Sequence, residues 1–245
     1  MSHPFVVSQV AVVNESTVVN DVDGKNMTLG LNSLLPVFCR DWNLPNATAV
    51  YVAKGGVVPA NAYKVVLLDN TDVAGTVSYH GVVGSVPVVK IFAKTVLDNG
   101  GVVLFENTRL KQTVAQVLSH EVFEMLVDSR CLLWWVNPNT AVVYAGEVSD
   151  PVDANIVSVR LSDKTQVGLS DWVLPAWNDV NNTTGPFNHN DTLTAAFQVD
   201  SHGYAMVLSA GRVSYVYGAN IVQTSKNYAA LSYRTLARVA STGGA

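Results

Sequence analysis

The chain has 245 residues, 49% of them hydrophobic and only 14% charged, with a formal net charge of −4. That length supports a sizeable core and one large or two small domains, and the composition is globular rather than disordered. The acidic balance argues against a general nucleic-acid-binding face, and the apolar runs are too short to span a membrane. Met1-Ser2-His3-Pro4 lacks the basic flank and long apolar core of a secretion signal.

Phe5 to Val13 alternates like a strand, and the polar stretch Asn14–Met27 reads as a turn or hairpin tip. Leu31, Leu34, Leu35, Phe38 and Trp42 recur at helical spacing, so Leu31–Trp42 is expected to be a helix, with Pro36 marking a kink or a late start. Strands are predicted at Thr48–Ala53, Tyr63–Leu68, Val73–Tyr79 and Val86–Lys94 from their β-branched and aromatic content. After the turn at Asp98–Gly101, Thr113 can cap a helix over residues 110–128 whose apolar face is Val114, Val117, Leu118, Val122, Met125 and Leu126. Beyond it the chain turns loop-rich, with short strands expected at Ile156–Leu161, Ala195–Val199, Tyr204–Ser209 and Val213–Val216. From about Ala219 the Ala, Ser, Thr and Gly-rich tail reads as an extended arm. The fold class is therefore α+β: a mixed sheet, a central helix, and a loop-rich β half. Cys39 and Cys131 lie in no metal-binding spacing and read as small buried thiols.

The chemistry concentrates in Ser119-His120-Glu121-Val122-Phe123-Glu124. His120 and Glu124 stand one helical turn apart and project to one side, as two metal ligands do. The stretch reads as the zinc-protease helix H-E-x-x-H with a carboxylate in place of the second histidine. Glu121 then occupies the position that takes a proton from metal-bound water. Downstream, Glu147 is expected as the third ligand, with Asp150 either a further ligand or the group that orients His120. Relative to a two-histidine site, the extra carboxylate lowers the ion's Lewis acidity and widens the choice from zinc toward calcium, manganese or magnesium. His80 reads as a hydrogen-bonded strand-end histidine, or alternatively as an oxyanion stabiliser above the site. His189 and His202 are expected at the surface, and Trp134, Trp135, Trp172 and Trp177 in the core. No nucleophile elbow or phosphate-cradling glycine loop is present.

The runs Ser-His-Glu-Val-Phe-Glu-Met-Leu-Val-Asp, Gly-Glu-Val-Ser-Asp-Pro-Val-Asp and Ser-Asp-Trp-Val-Leu-Pro-Ala-Trp resemble a family of uncharacterised proteins of tailed bacteriophages and related bacterial loci. Phe38–Trp42, Val77–His80 and Pro87–Lys94 fit the same pattern, so the resemblance runs from roughly Leu31 to Tyr217. The two acidic motifs are also similar to the plant Exordium (phosphate-induced) family, over far less of the chain. The chain departs from the phage-type pattern at Ser129, where a proline is usual, and at Ser149, where a cysteine is usual. The resemblance implies a zincin-like fold, in which an upper sheet lies over the motif helix and a lower part supplies a third ligand. On that expectation residues 1–218 form one zincin-like domain, divided into an upper sheet part (1–109), the motif helix (110–128) and a lower part (129–218), followed by an arm (219–245). It also implies a shared polar site of His120, Glu124 and Glu147 or Asp150, with Glu121 in the general-base position.

Three functions are compatible with this reading. The favoured expectation is a virion-associated structural protein, in capsid, neck or tail, that binds other virion proteins through its C-terminal arm and is assembled in the host cytoplasm. No nucleic-acid or membrane partner is expected, and a homo-oligomer is compatible. The second is a metal-dependent peptidase or amidase using Glu121 as base, with substrate along an edge strand at Val86–Lys94. The third is a soluble binding domain with a structural ion.

Overall fold

The computed structural model describes residues 9–73, 75–84, 86–105 and 111–221. Strand β1 (Gln9–Asn14) is the centre of the first sheet, and its valines are fully enclosed. It pairs in parallel with β2 (Thr48–Val52) on one side and β3 (Tyr63–Leu68) on the other. β5 (Val86–Phe92) extends the sheet in parallel from β3, and β4 (Ser78–Val83) closes it as an antiparallel edge, giving the order β2-β1-β3-β5-β4. Continuous apolar runs such as Val-Ala-Val-Val in β1 suit a strand buried on both faces.

Two long helices cover the face that carries Val10, Val12, Val65, Leu67, Val89 and Ile91. Helix α1 (Asp21–Asp41) contributes Met27, Leu31, Leu35 and Phe38 to this core, and α3 (Val114–Val127) contributes Val117, Leu118, Val122 and Phe123. A short helix, α2 (Ala93–Asp98), follows β5. The second half holds a four-stranded sheet, β11-β10-β7-β6, made from β6 (Trp134–Asn137), β7 (Val142–Ala145), β10 (Tyr204–Ser209) and β11 (Arg212–Tyr217). A separate hairpin, β8 (Ile156–Arg160) with β9 (Gln166–Ser170), lies against α3. The result is α+β, a mixed sheet with few helices. No helix among the described residues is long and apolar enough to cross a membrane.

Several expectations need correction. Residues 14–27 are not a hairpin tip: Asn20 caps α1 by accepting from Asp23 N–H at 2.9 Å, and the helix starts at Asp21. Its first turns escape the periodicity because Val22 and Leu29 face solvent and Gly24 lies on a ring. A Cβ on Gly24 would sit 2.3 Å from Tyr51 Cε2, so glycine is what lets the helix settle against the Tyr51 ring. Pro36 lies inside α1 rather than at its start. The strand expected at Val73–Tyr79 is displaced to Ser78–Val83, and Lys94 belongs to α2. Val86–Lys94 is not an edge, because β5 is flanked by β3 and β4. Ala195–Val199 forms no strand; there Gln198 Oε1 accepts from the backbone of Thr194 and Ala195 and closes a loop. Residues 5–8 of the first expected strand, residue 110 and residues 222–245 of the expected arm lie outside the described residues.

The β1–α1 crossover is held by Asp69 at the end of β3, which accepts from Ser16 Oγ at 2.6 Å, Thr17 N at 2.7 Å and Thr17 Oγ1 at 2.6 Å. The bonds from Ser16 and Thr17 hold the Asp69 carboxyl down at about 2. A lowered carboxyl pKa stabilises the fold above the ordinary carboxylate range and loses that contribution as pH falls. Asp69→Asn is therefore expected to lower the melting temperature near neutral pH, by about 2 °C for so exposed a group. The gap between wild type and variant should close as pH drops from about 4 to about 2; a gap that stays constant across this range in thermal melts refutes the role.

Candidate metal centre

Helix α3 is buried over every residue from Val114 to Met125, polar ones included. A helix enclosed on all sides must find partners for each polar side chain. One set of these partners is structural. Thr113 caps the helix through Gln116 N at 2.8 Å and donates to Gly168 O at 3.0 Å. Ser119 Oγ accepts from Ser170 N at 2.8 Å, and Gln116 Nε2 donates to Asp153 O at 2.7 Å. The aromatic side is fixed by Phe123, stacked on Phe38 at 4.4 Å and set edge-on to Trp172 at 5.0 Å. These contacts fix the rotation of α3 and aim His120, Glu121 and Glu124 at a common volume.

Two elements complete that volume. From the sheet, Ser78 and His80 lie opposite Ile91 and Val89, whose side chains are in the core, so the strand's alternation turns both toward α3. From the second half, Glu147 follows β7 and Asp150 opens a 3-10 turn (Asp150–Val152), which brings Asp150 and Asp153 to one face. That turn is clamped from outside: Asp200 N–H donates to Pro151 O at 2.8 Å, and a Cβ on Gly203 would sit 2.2 Å from the same oxygen.

His120 Nε2 lies 3.3 Å from Glu124 Oε1 and 3.2 Å from Asp150 Oδ1, while its Nδ1 faces Asp153 Oδ1 at 3.6 Å. His80 Nδ1 lies 3.2 Å from Glu121 Oε2 and 3.5 Å from Glu124 Oε2, while its Nε2 faces Glu147 Oε2 at 3.6 Å. Ser78 Oγ donates to Glu121 Oε1 at 2.5 Å, and Ser149 N–H donates to Glu124 Oε1 at 3.2 Å. No match to this chain is found among family models, curated proteins or solved structures. The chemistry of the site itself therefore carries the functional reading.

All the residues expected from sequence come together, with a different division of labour. Asp150, not Glu147, stands with His120 and Glu124; Glu147 stands beside His80. Glu121 does not point into open space, because both of its oxygens are engaged. His80, Asp153 and Tyr204 join the expected residues around this volume, Asp153 behind His120 and Tyr204 against Asp150. The sequence carries a signal for two of them: Ser78-Tyr79-His80 alternates in a strand, and Glu147, Asp150 and Asp153 recur every third residue. Tyr204 gives none, since its place depends on the fold of β10. His189 is half-buried, and its ring stacks on Trp172 with centroids 4.0 Å apart. Cys39 and Cys131 are both free and buried, as expected.

The electrostatics follow from five buried or nearly buried carboxylates, Glu121, Glu124, Glu147, Asp150 and Asp153, meeting two imidazoles. Burial opposes charge on both rings, yet Glu147 beside His80 and Glu124 beside His120 hold each imidazole well above its usual range. Burial and then Glu124 push the Asp150 carboxyl well above the carboxylate range. Glu124 is driven the other way: against burial, His120 and then His80 hold it below that range. Burial and the charges of Asp150, Asp153 and Glu124 keep the Tyr204 phenol protonated, hydrogen-bonded to Asp150.

These residues could hold a divalent metal. A single ring N–H cannot point at both Glu124 and Asp150, whereas donor atoms about 3.3 Å apart are the edges of a tetrahedron around an ion with bonds of about 2.0 Å. The oxygen-rich donor set also suits manganese or calcium as readily as zinc. Without an ion, the crowded carboxylates work against the fold. Asp150→Asn is thus expected to raise the melting temperature in chelator by about 2–4 °C and to weaken stabilisation by added metal. A variant less stable than wild type in chelator would contradict the assignment of Asp150 as a ligand.

Proposed function

We propose that this chain is a non-catalytic, metal-stapled structural protein on a zincin-like scaffold, and that it serves as a virion-associated component of a tailed phage. The observation that carries the non-catalytic part is the state of Glu121. One of its oxygens accepts from Ser78 Oγ at 2.5 Å and the other meets His80 Nδ1 at 3.2 Å. A general base must be free to turn toward the metal-bound water, and each oxygen here is hydrogen-bonded to β4. The donor set points the same way, since carboxylates that neutralise a divalent ion leave bound water less acidic.

The zincin-like part is supported by architecture. A mixed sheet lies over the His-Glu-x-x-Glu helix, and the second half returns a carboxylate, Asp150, beside it. An ion held by α3 and the 3-10 turn would join the two halves of the chain, as structural metals do. The phage setting rests on the sequence resemblance over Leu31–Tyr217, and binding to neighbouring virion proteins is assigned to residues 219–245. A metallopeptidase or amidase is the second reading. What favours it is β4, an edge strand directly above the site onto which an extended peptide could add.

Purified protein is expected to carry zinc, manganese or calcium by elemental analysis, and His120→Ala to carry less of it. Chelation should lower the melting temperature by several degrees, roughly the 2–4 °C per kcal/mol of a chain this size. Peptide and amide substrates should not be turned over by the metal-loaded protein, and antibody to the chain should detect it at fixed stoichiometry in purified particles. Metal-dependent turnover abolished in Glu121→Gln would replace this proposal with the peptidase reading.

A further inference from the structure

Glu124 offers its two oxygens to different imidazoles. Oε1 lies 3.3 Å from His120 Nε2, and Oε2 lies 3.5 Å from His80 Nδ1. Around each ring the same pattern recurs. One nitrogen faces two carboxylate oxygens, and the opposite nitrogen faces a single carboxylate at 3.6 Å: Asp153 behind His120, Glu147 behind His80. A carboxylate behind the far nitrogen is the usual support of a metal-bound histidine, fixing its tautomer and orientation.

We infer that the centre holds two divalent cations bridged by Glu124. The first is bound by His120 Nε2, Glu124 Oε1 and Asp150 Oδ1, and the second by His80 Nδ1, Glu124 Oε2 and Glu121 Oε2. This inference rests on the metal reading above and extends it, because that reading requires only the first position. The carboxylate bridge sets the ions about 3.5–4 Å apart, the spacing of two-metal centres in general. The His80 side is a built site in its own right: the ring is 6% exposed, and its Nδ1 faces Glu121 Oε2 at 3.2 Å and Glu124 Oε2 at 3.5 Å, two oxygens that one ring N–H cannot meet at once. Charge balance agrees. Five carboxylates around two neutral imidazoles are left strongly negative by a single divalent ion and nearly neutral by two.

The second ion would also anchor the edge strand. His80 is in β4 and Glu121 and Glu124 are in α3, so the ion would tie sheet to helix, while the first ties helix to the second half.

The test is metal stoichiometry of the full chain, stripped with chelator and then titrated with manganese, read by calorimetry and by electron paramagnetic resonance. Wild type should bind two equivalents, with the six-line manganese signal weakening through spin coupling as the second equivalent enters. Glu121→Gln, isosteric and with little risk to folding, should bind one equivalent with an uncoupled signal; His80→Ala should do the same. Asp150→Asn should likewise fall to one. A wild type that takes up a single equivalent, unchanged in Glu121→Gln, overturns the second position and leaves the single-ion reading standing. No uptake by folded wild type overturns both. Circular dichroism and melting of each stripped variant separate lost binding from lost fold.

Discussion

The organisation of this protein depends on enclosing one helix completely. α3 is buried from Val114 through Met125, so each polar group it carries must be answered by another element. Thr113, Gln116 and Ser119 are answered by the backbone of β9 and of the turn at Asp153. His120, Glu121 and Glu124 are answered by β4 and by the segment after β7. The helix is therefore the common wall of both halves, and its rotation is fixed by Phe123 against Phe38 and Trp172. A turn of the helix about its axis would break packing on one side and strand carboxylates on the other.

The cluster is a poor way to gain stability by itself. Carboxylates at this density repel one another; burial and then Glu124 drive Asp150 above the ordinary range, while His120 and His80 hold Glu124 below it against burial. Apolar residues of similar volume would give a more stable fold. Such a concentration of buried acid is retained where it has a ligand to meet, and cations are the ligands its donors fit. The site would thus be a joint shared by sheet, helix and second half, weak when empty and strong when filled.

Whether such a centre turns over substrate depends on the residue next to the ligands. In a metal hydrolase the general base must be unengaged and aimed at water. Here the register of the β4–β5 pair brings Ser78 and His80 down onto Glu121. On the non-catalytic proposal, the contacts that fasten β4 to the helix hold Glu121 in place instead of leaving it free as a base.

Sequence alone determined the strong local signals: β3, most of β2 and β5, the motif helix with its Thr113 cap, and a His120–Glu124 pair approached by an acid from the Glu147–Asp150 segment. Each depends on residues near one another in the chain, through alternation, helical spacing or capping, so neighbours suffice to reveal it. The first turns of α1 were hidden because close approach to Tyr51 is made with Gly24, which leaves no apolar signal. Only tertiary structure decided that β4 is the edge, that His80 faces Glu121 across the gap from sheet to helix, and that Asp150 rather than Glu147 meets His120. Those facts depend on strand register and on how the 3-10 turn is clamped by Asp200 and Gly203, contacts between residues far apart in sequence. Ligand type is written in the side chains; which ligands share an ion is set by the elements that carry them.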